Sequence, residues 1–327
     1  MEFWLQLPEH FKKSVVKKLD YKTRCRLRIC SKLDKDLVDS CPVTIKHVNF
    51  EPRLGNQVYL SIEETGGPQT LLYENCKSLQ DVLQDFMFIF KNPKSKVVKL
   101  SIAHFNFQRQ PDAVNDFLFA LFSEIESKYS SSFKLRIEKF SFHWGEMRET
   151  NFLELLKKFD SKVFKSIFLR KLPMKTPGMI DELVETEQWK RLEEVRMQDK
   201  SAIPLEKLQV NILNVVFHSL KANDVWRYIQ NYKSYPVPHQ SFFLIHTLQP
   251  LPLAEIMELF DVPVENEPLE ENNNCIKHTQ RFRLPWSKQN ILVVKIEMRK
   301  IKGTICRKGM ESEDFDVLEM NQLQEIV

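Results

Sequence analysis

Glycine is the first thing this sequence lacks. The chain has 327 residues but only 7 glycines, where average usage of about 7% would give roughly 23. Glycine lets a backbone curl around phosphate or make a strained nucleophile turn. No G-x-G-x-x-G, G-x-x-x-x-G-K-[ST] or G-x-S-x-G occurs, and the adjacent pair Gly66-Gly67 runs into Pro68, which excludes the common nucleotide-binding and serine-hydrolase classes. No apolar run approaches the roughly 18 residues of a membrane span. The start, Met1 to Pro8, meets charge by Lys12, so it lacks the apolar core of a signal peptide. The six cysteines (Cys25, Cys30, Cys41, Cys76, Cys275 and Cys306) include no C-x-x-C. They read as buried thiols in a reducing compartment, which points to a cytoplasmic or nuclear protein.

Charge of one sign is missing as well. The balance is 48 basic against 44 acidic residues, net +4, too even to announce a nucleic-acid or membrane-surface protein. Catalytic and metal spacings are absent too. Cys275-x-x-His278 is half a zinc site without a second half nearby, and His143 and His246 belong to no H-E-x-x-H. Cys25 and Cys30 lie among Arg24, Arg26, Arg28 and Lys32, where neighbouring cations lower a thiol's pKa, but small packing residues are the favoured reading. No nucleophile, base and oxyanion donors assemble from spacing. The sequence predicts no enzyme, no metal and no cofactor.

What is present is phenylalanine, 24 of them, and a recurring apolar stripe at i, i+3, i+4 and i+7 that marks one face of a helix. It appears at Leu79, Val82, Leu83 and Phe86; at Val114, Phe117, Leu118 and Leu121; at Phe152, Leu155, Leu156 and Phe159; at Val225, Tyr228, Ile229 and Tyr232; and at Leu253, Ile256, Met257 and Phe260. A weaker stripe at Ile180, Leu183 and Val184 follows Thr176-Pro177, an N-cap with proline at the first helical position. Between the stripes lie strand-like segments rich in β-branched and aromatic residues, at 97–102, 135–142, 165–169, 192–197, 210–217 and 241–245. The expected fold class is therefore α/β, a degenerate strand and helix repeat. Irregular periods of about 30 residues favour a leucine-rich-repeat-like solenoid over an open doubly wound sheet. In Phe86-Met87-Phe88-Ile89-Phe90 the apolar residues cover more than one helix face, which suits a helix clamped between solenoid units.

The ends differ from the middle. Residues 1–42 are helical and basic, too few to bury a core of their own, so they need a partner. Residues 43–77 read as an irregular connector with a short strand near 58–62, and 78–309 as the repeat domain. Its close is strongly patterned. Residues 261–274 carry five acidic and no basic residues, 275–309 carry ten basic residues against Glu297, and the tail, 310–327, carries six acidic and no basic residues. A small β hairpin is expected in the basic stretch, with Val294, Ile296 and Met298 on a buried face and Lys295, Glu297 and Arg299 on a charged one.

Leu7-Pro8, Val15-Val16, Leu19-Asp20, Arg24, Leu27-Arg28, Cys30-Ser31-Lys32 and Leu37-Val38 resemble an F-box, the three-helix module that docks on the adaptor of cullin-RING (SCF-type) ubiquitin ligases. Lys32-Leu33 stands where many F-boxes carry an aromatic after the serine. The resemblance implies an adaptor-binding set of Leu7, Pro8, Phe11, Val15, Val16, Leu19, Leu27, Ile29 and Cys30, with cullin reached through the adaptor. The remainder is similar to the FTH (Fog-two homology) region that accompanies F-boxes in a large nematode family. The residues carrying this are Gln280-Arg281-Phe282-Arg283-Leu284-Pro285-Trp286-Ser287 and Asn290-Ile291-Leu292-Val293-Val294. Together they imply a non-catalytic substrate receptor whose repeat domain holds an unknown client protein.

Arg281, Arg283, Lys288, Lys295 and Arg299 form a candidate surface for a client or acidic partner. The alternative function is a scaffold or RNA-regulatory module in which the basic run binds RNA, with Phe282 and Trp286 as stacking surfaces. The acidic residues on either side bring the local charge near zero, so a solvated strand face is favoured over nucleic acid.

Overall fold

A computed structural model describes residues 2–53, 57–64, 70–72, 77–103, 113–143, 147–260 and 278–309. Cys76, Trp144, the acidic stretch 261–274, Cys275 and the tail 310–327 lie outside the described residues. The chain divides into two compact units, one of Met1–Phe168 and Asp181–Arg191, the other of Leu169–Ile180 and Leu192–Val327.

The first unit begins with four helices, α1 (Glu2–Gln6), α2 (Glu9–Lys18), α3 (Tyr21–Arg28) and α4 (Lys32–Asp39). Three were expected; the extra one-turn α1 precedes Leu7-Pro8. Next come β1 (Thr44–Arg53), β2 (Gln57–Glu64), β3 (Thr70–Leu72), β4 (Lys77–Ser78), α5 (Leu79–Ile89), β5 (Lys96–Ala103), α6 (Ala113–Lys128), β6 (Ile137–His143), α7 (Glu149–Lys158) and β7 (Ser166–Leu169). Further along, α8 (Pro177–Glu185), with Pro177 at its first position, has its residues up to Ile180 in the second unit and the rest in the first, and α9 (Glu187–Lys190) belongs to the first. The expected connector is built differently. β1 pairs parallel with β5 and antiparallel with β2 over eight residue pairs, so this stretch is part of the sheet. Strand order through the first unit runs β6, β5, β1, β2, β3, with β5 and β6 also parallel.

The second unit contains β8 (Glu194–Lys200), β9 (Ile212–Phe217), α10 (Ala222–Ser234), β10 (Phe242–Thr247), α11 (Leu253–Leu259), β11 (His278–Leu284), β12 (Ser287–Glu297) and β13 (Lys300–Arg307). β8, β9 and β10 are parallel neighbours, and β10 pairs antiparallel with β13. The expected terminal hairpin is a three-stranded antiparallel meander, β11-β12-β13. Its alternation fails at Glu297, which is 6% exposed because it lies against Lys302 at 3.3 Å and Lys300 at 3.7 Å. A buried carboxylate is tolerated where cations meet it.

One spacing recurs in both units. Buried apolar residues stand at i, i+3 and i+5 in Ile45, Val48, Phe50; Val97, Leu100, Ile102; Ile137, Phe140, Phe142; Phe164, Ile167, Leu169; Leu192, Val195, Met197; and Val210, Leu213, Val215. The helix stripes close the core. Phe86 and Phe117 meet the Phe50 ring at 4.9 and 4.5 Å, and Tyr228 and Tyr232 meet Phe243 edge-on at 5.2 and 5.0 Å. Stripe residues Phe159 and Phe260 fall one position past their helices yet remain buried.

Candidate functional site

Each helix of the N-terminal module is set by its capping chemistry. Asp20 caps α3 by accepting from the Thr23 amide at 2.6 Å, and that bond lowers its pKa. Ser31 caps α4: its Oγ accepts from the Asp34 amide at 3.1 Å and donates to the Asp34 carboxylate at 2.7 Å. The other Asp34 oxygen accepts from Trp4 Nε1 at 2.8 Å, which ties α1 to α4. Arg24 is buried and donates to three carbonyls, Lys17, Leu19 and Pro42, at 2.9 to 3.1 Å. Burial lowers its pKa, and its bonds to Lys17 and Leu19 satisfy carbonyls at the end of α2 in place of water.

The module's core is Val16, Leu37, Val38 and Cys41, with Trp4 and Leu27 against them and Phe88 of α5 completing it. This revises the expectation that a partner must supply the missing surface, because α5 supplies it within the chain. Phe88 touches the Tyr21 ring at 5.7 Å and lies 4.3 Å under the Arg28 guanidinium, which forms a two-point pair with Asp39 at 2.7 and 3.2 Å. Asn92 donates to the Asp39 and Ser40 carbonyls at the end of α4. The Tyr21 amide donates to Glu64 of β2, whose pKa is raised by burial and held back by that bond. Phe88 faces the module while Phe86 faces the sheet, so α5 is packed on two sides, one of them the N-terminal helices and not a neighbouring repeat unit.

With that core satisfied, the apolar residues still exposed stand out. Phe3 is 85% exposed, Ile29 83%, Leu33 71% and Phe11 50%. Pro8 and Cys30 are exposed, while Leu7, Val15, Leu19 and Leu27 are half-buried. Phe11 and Val15 are one turn apart on α2, and Ile29, Cys30 and Leu33 cluster where α3 gives way to α4. Val16 is fully buried, so within the expected contact set it holds the helices together and offers nothing to a partner. Leu27 divides its surface between core and solvent. Phe3 and Leu33 are exposed apolar positions outside that set. Cys30 also departs from the expectation of buried thiols, as its Sγ bonds only to the Arg26 carbonyl.

The basic C-terminal set is spread over the second unit's meander. Arg281 and Arg283 are exposed on β11, Lys288 on β12 and Arg299 in the β12-β13 turn, and Lys295 is half-buried. The aromatics once available for base stacking are engaged. Trp286 Nε1 donates to the Lys233 carbonyl at 3.0 Å, at the end of α10. Phe282 packs on Phe260 at 5.6 Å and Trp226 at 6.1 Å, with Lys233 over its ring. His278 is 3.0 Å from Gln280 Oε1. Among the described residues no group of three or more His, Cys, Asp or Glu is placed to hold a metal ion, and no helix is long and apolar enough to cross a membrane.

Comparison with known families matches two stretches of the chain, neither of which includes residues 280–294, on which the FTH resemblance rested. Residues 4–46 match the F-box domain and residues 119–225 match the FTH domain. The chain is thus an F-box plus FTH protein in its domain content. No curated protein matches it, and no solved structure does.

Proposed function

We propose that this protein is a non-catalytic substrate receptor of an SCF-type cullin-RING ubiquitin ligase. An F-box is the adaptor-binding module of such ligases, and the adaptor carries the cullin. In this reading the module within residues 1–42 binds the adaptor. The strand and helix repeat, a solenoid by its recurrent i, i+3, i+5 spacing, presents the client. The observation that carries it is the exposed apolar set Phe3, Pro8, Phe11, Ile29 and Leu33 on a module whose own core is already complete. Such a patch marks an interface, and burying each large apolar side chain contributes about 1.5–3 kcal/mol. Glu9, Lys13 and the other charges beside it suit a polar rim.

Co-purification of the full chain with the adaptor tests this. Phe11→Ser combined with Ile29→Ser removes two exposed anchors without touching the core, and it should reduce adaptor recovery by roughly tenfold or more, equivalent to at least about 1.4 kcal/mol. Recovery equal to that of the wild type would overturn the reading. No observation favours RNA binding, since Phe282 and Trp286 are occupied by α10 and α11.

A further inference from the structure

The sheet face of the first unit turned away from α5 and α6 carries a second polar cluster. Phe50 meets those helices, so beyond the register shift between Ile45 and His47 strand alternation turns His47, Asn49 and Glu51, with the register partners of the first two on β5 and β6, the other way. Backbone register then brings them into rows. His47 stands beside Lys99 and Lys99 beside Lys139; one step along, Asn49, Ser101 and Ser141 are aligned, and His143 follows. His47 Nε2 lies 2.8 Å from Ser101 Oγ, and His143 Nε2 is hydrogen-bonded to Ser141 Oγ. The two serines are only 3% and 2% exposed.

Lys99 and Lys139 are the exposed members, and among the described residues neither forms an ion pair. This is unusual here, because the cation next along the same strand pair is matched, Lys96 with Glu138 at 3.3 Å. Like charges opposite each other on neighbouring strands destabilise a sheet. The acid bordering the row, Glu63 of β2, is bound to Lys46. The local field is felt by His47, whose pKa is held down to about 4 by burial first and then by Lys99, against the opposing pull of Glu63. The first unit therefore maintains two uncompensated ammonium groups over a floor of imidazoles and hydroxyls that can reorient as hydrogen-bond donors.

We propose that this face is the client-binding surface and that it seats an anionic side chain of a client peptide, a carboxylate or a phosphoryl group, between Lys99 and Lys139 with His47 and His143 beside them. The proposal rests on the receptor reading above. A protein segment suits the site better than nucleic acid, because phosphate backbones need a continued track of cations, whereas the next row here is Asn49, Ser101 and Ser141. It moves client selection away from the C-terminal arginines.

The test is fluorescence anisotropy with the full chain, purified after co-expression with the adaptor, against short labelled Gly-Ser peptides bearing a central run of glutamates, one phosphoserine, or neither. At least one anionic peptide should bind more tightly than the neutral one, and which of the two binds better identifies the source of the charge. Lys99→Gln with Lys139→Gln should weaken that binding by roughly tenfold or more, as loss of two charge-assisted contacts implies. Arg281→Gln with Arg283→Gln should leave it within about twofold. Failure of both anionic peptides to bind, equal losses in the two double variants, or tighter binding of a labelled single-stranded RNA would overturn the proposal. Adaptor recovery is read in the same preparations, so a failed receptor reading shows as lost adaptor with peptide binding retained.

Discussion

At the level of single residues, the sharpest steric statement concerns Gly303. A Cβ built there would lie 2.1 Å from the Phe243 ring, because β13 runs beside β10 with Gly303 directly opposite Phe243. In a chain so poor in glycine, this one is placed for close packing of an aromatic over a backbone. Gly303→Ala should destabilise the protein by about 1–3 kcal/mol, as overpacking does, seen as a lower urea midpoint with unchanged slope. Adding Phe243→Leu should restore part of the loss. His47 makes a second prediction, about pH. Its pKa falls from an ordinary 6.5 to about 4 in the folded protein, so between those values the unfolded chain binds more protons. Stability is then full above pH 6.5 and declines as the pH falls toward 4. Urea midpoints across that window should show a shallower decline for His47→Gln than for the wild type, and identical slopes would refute the assignment.

Among elements, α5 carries the most consequence. It packs Phe86 into the sheet and Phe88 into the N-terminal helices. Phe88→Ala removes the contact with Tyr21 and the seat of the Arg28 guanidinium, and should cost about 2 kcal/mol, less than a fully buried phenylalanine because the site is half open. Hydrogen exchange should quicken in α2, α3 and α4 with little change in β8 to β10; uniform quickening would refute a local role. Elements with a strong period were legible in the sequence. The stripes at 79, 114, 152, 225 and 253 all fall on helices, and Thr176-Pro177 opens α8. β1 was not legible. Ile45, Val48 and Phe50 are buried at i, i+3 and i+5, which matches neither strict alternation nor a helix stripe. Unlike β5, β1 is interrupted by Lys46, His47 and Asn49, so no β-branched run announces it. Glu297 was misplaced for a different reason: alternation says which face a residue takes, not whether cations across the strand will cover it.

For the molecule as a whole, function was legible at one end and hidden at the other. Leu7-Pro8 and the short helices behind it are a local signal, readable because consecutive residues make the module. The polar face of β1, β5 and β6 joins residues about 100 positions apart in the chain, from His47 to His143, and only strand register aligns them. The basic run near the C-terminus drew notice because it is contiguous, yet its aromatics serve packing. Contiguity in sequence thus gave the candidate adaptor contacts, and register gave the candidate client contacts.

The position of Phe88 in the core of the N-terminal helices bears on how such proteins can be assembled from parts. A gene fusion that moved residues 1–46 onto an unrelated domain would carry Val16, Leu37 and Val38 with one wall of their pocket left behind. The transplanted module would need a replacement aromatic from its new host. In this chain the F-box is a graft that has grown into its stock, and exchanging it intact means taking α5 along.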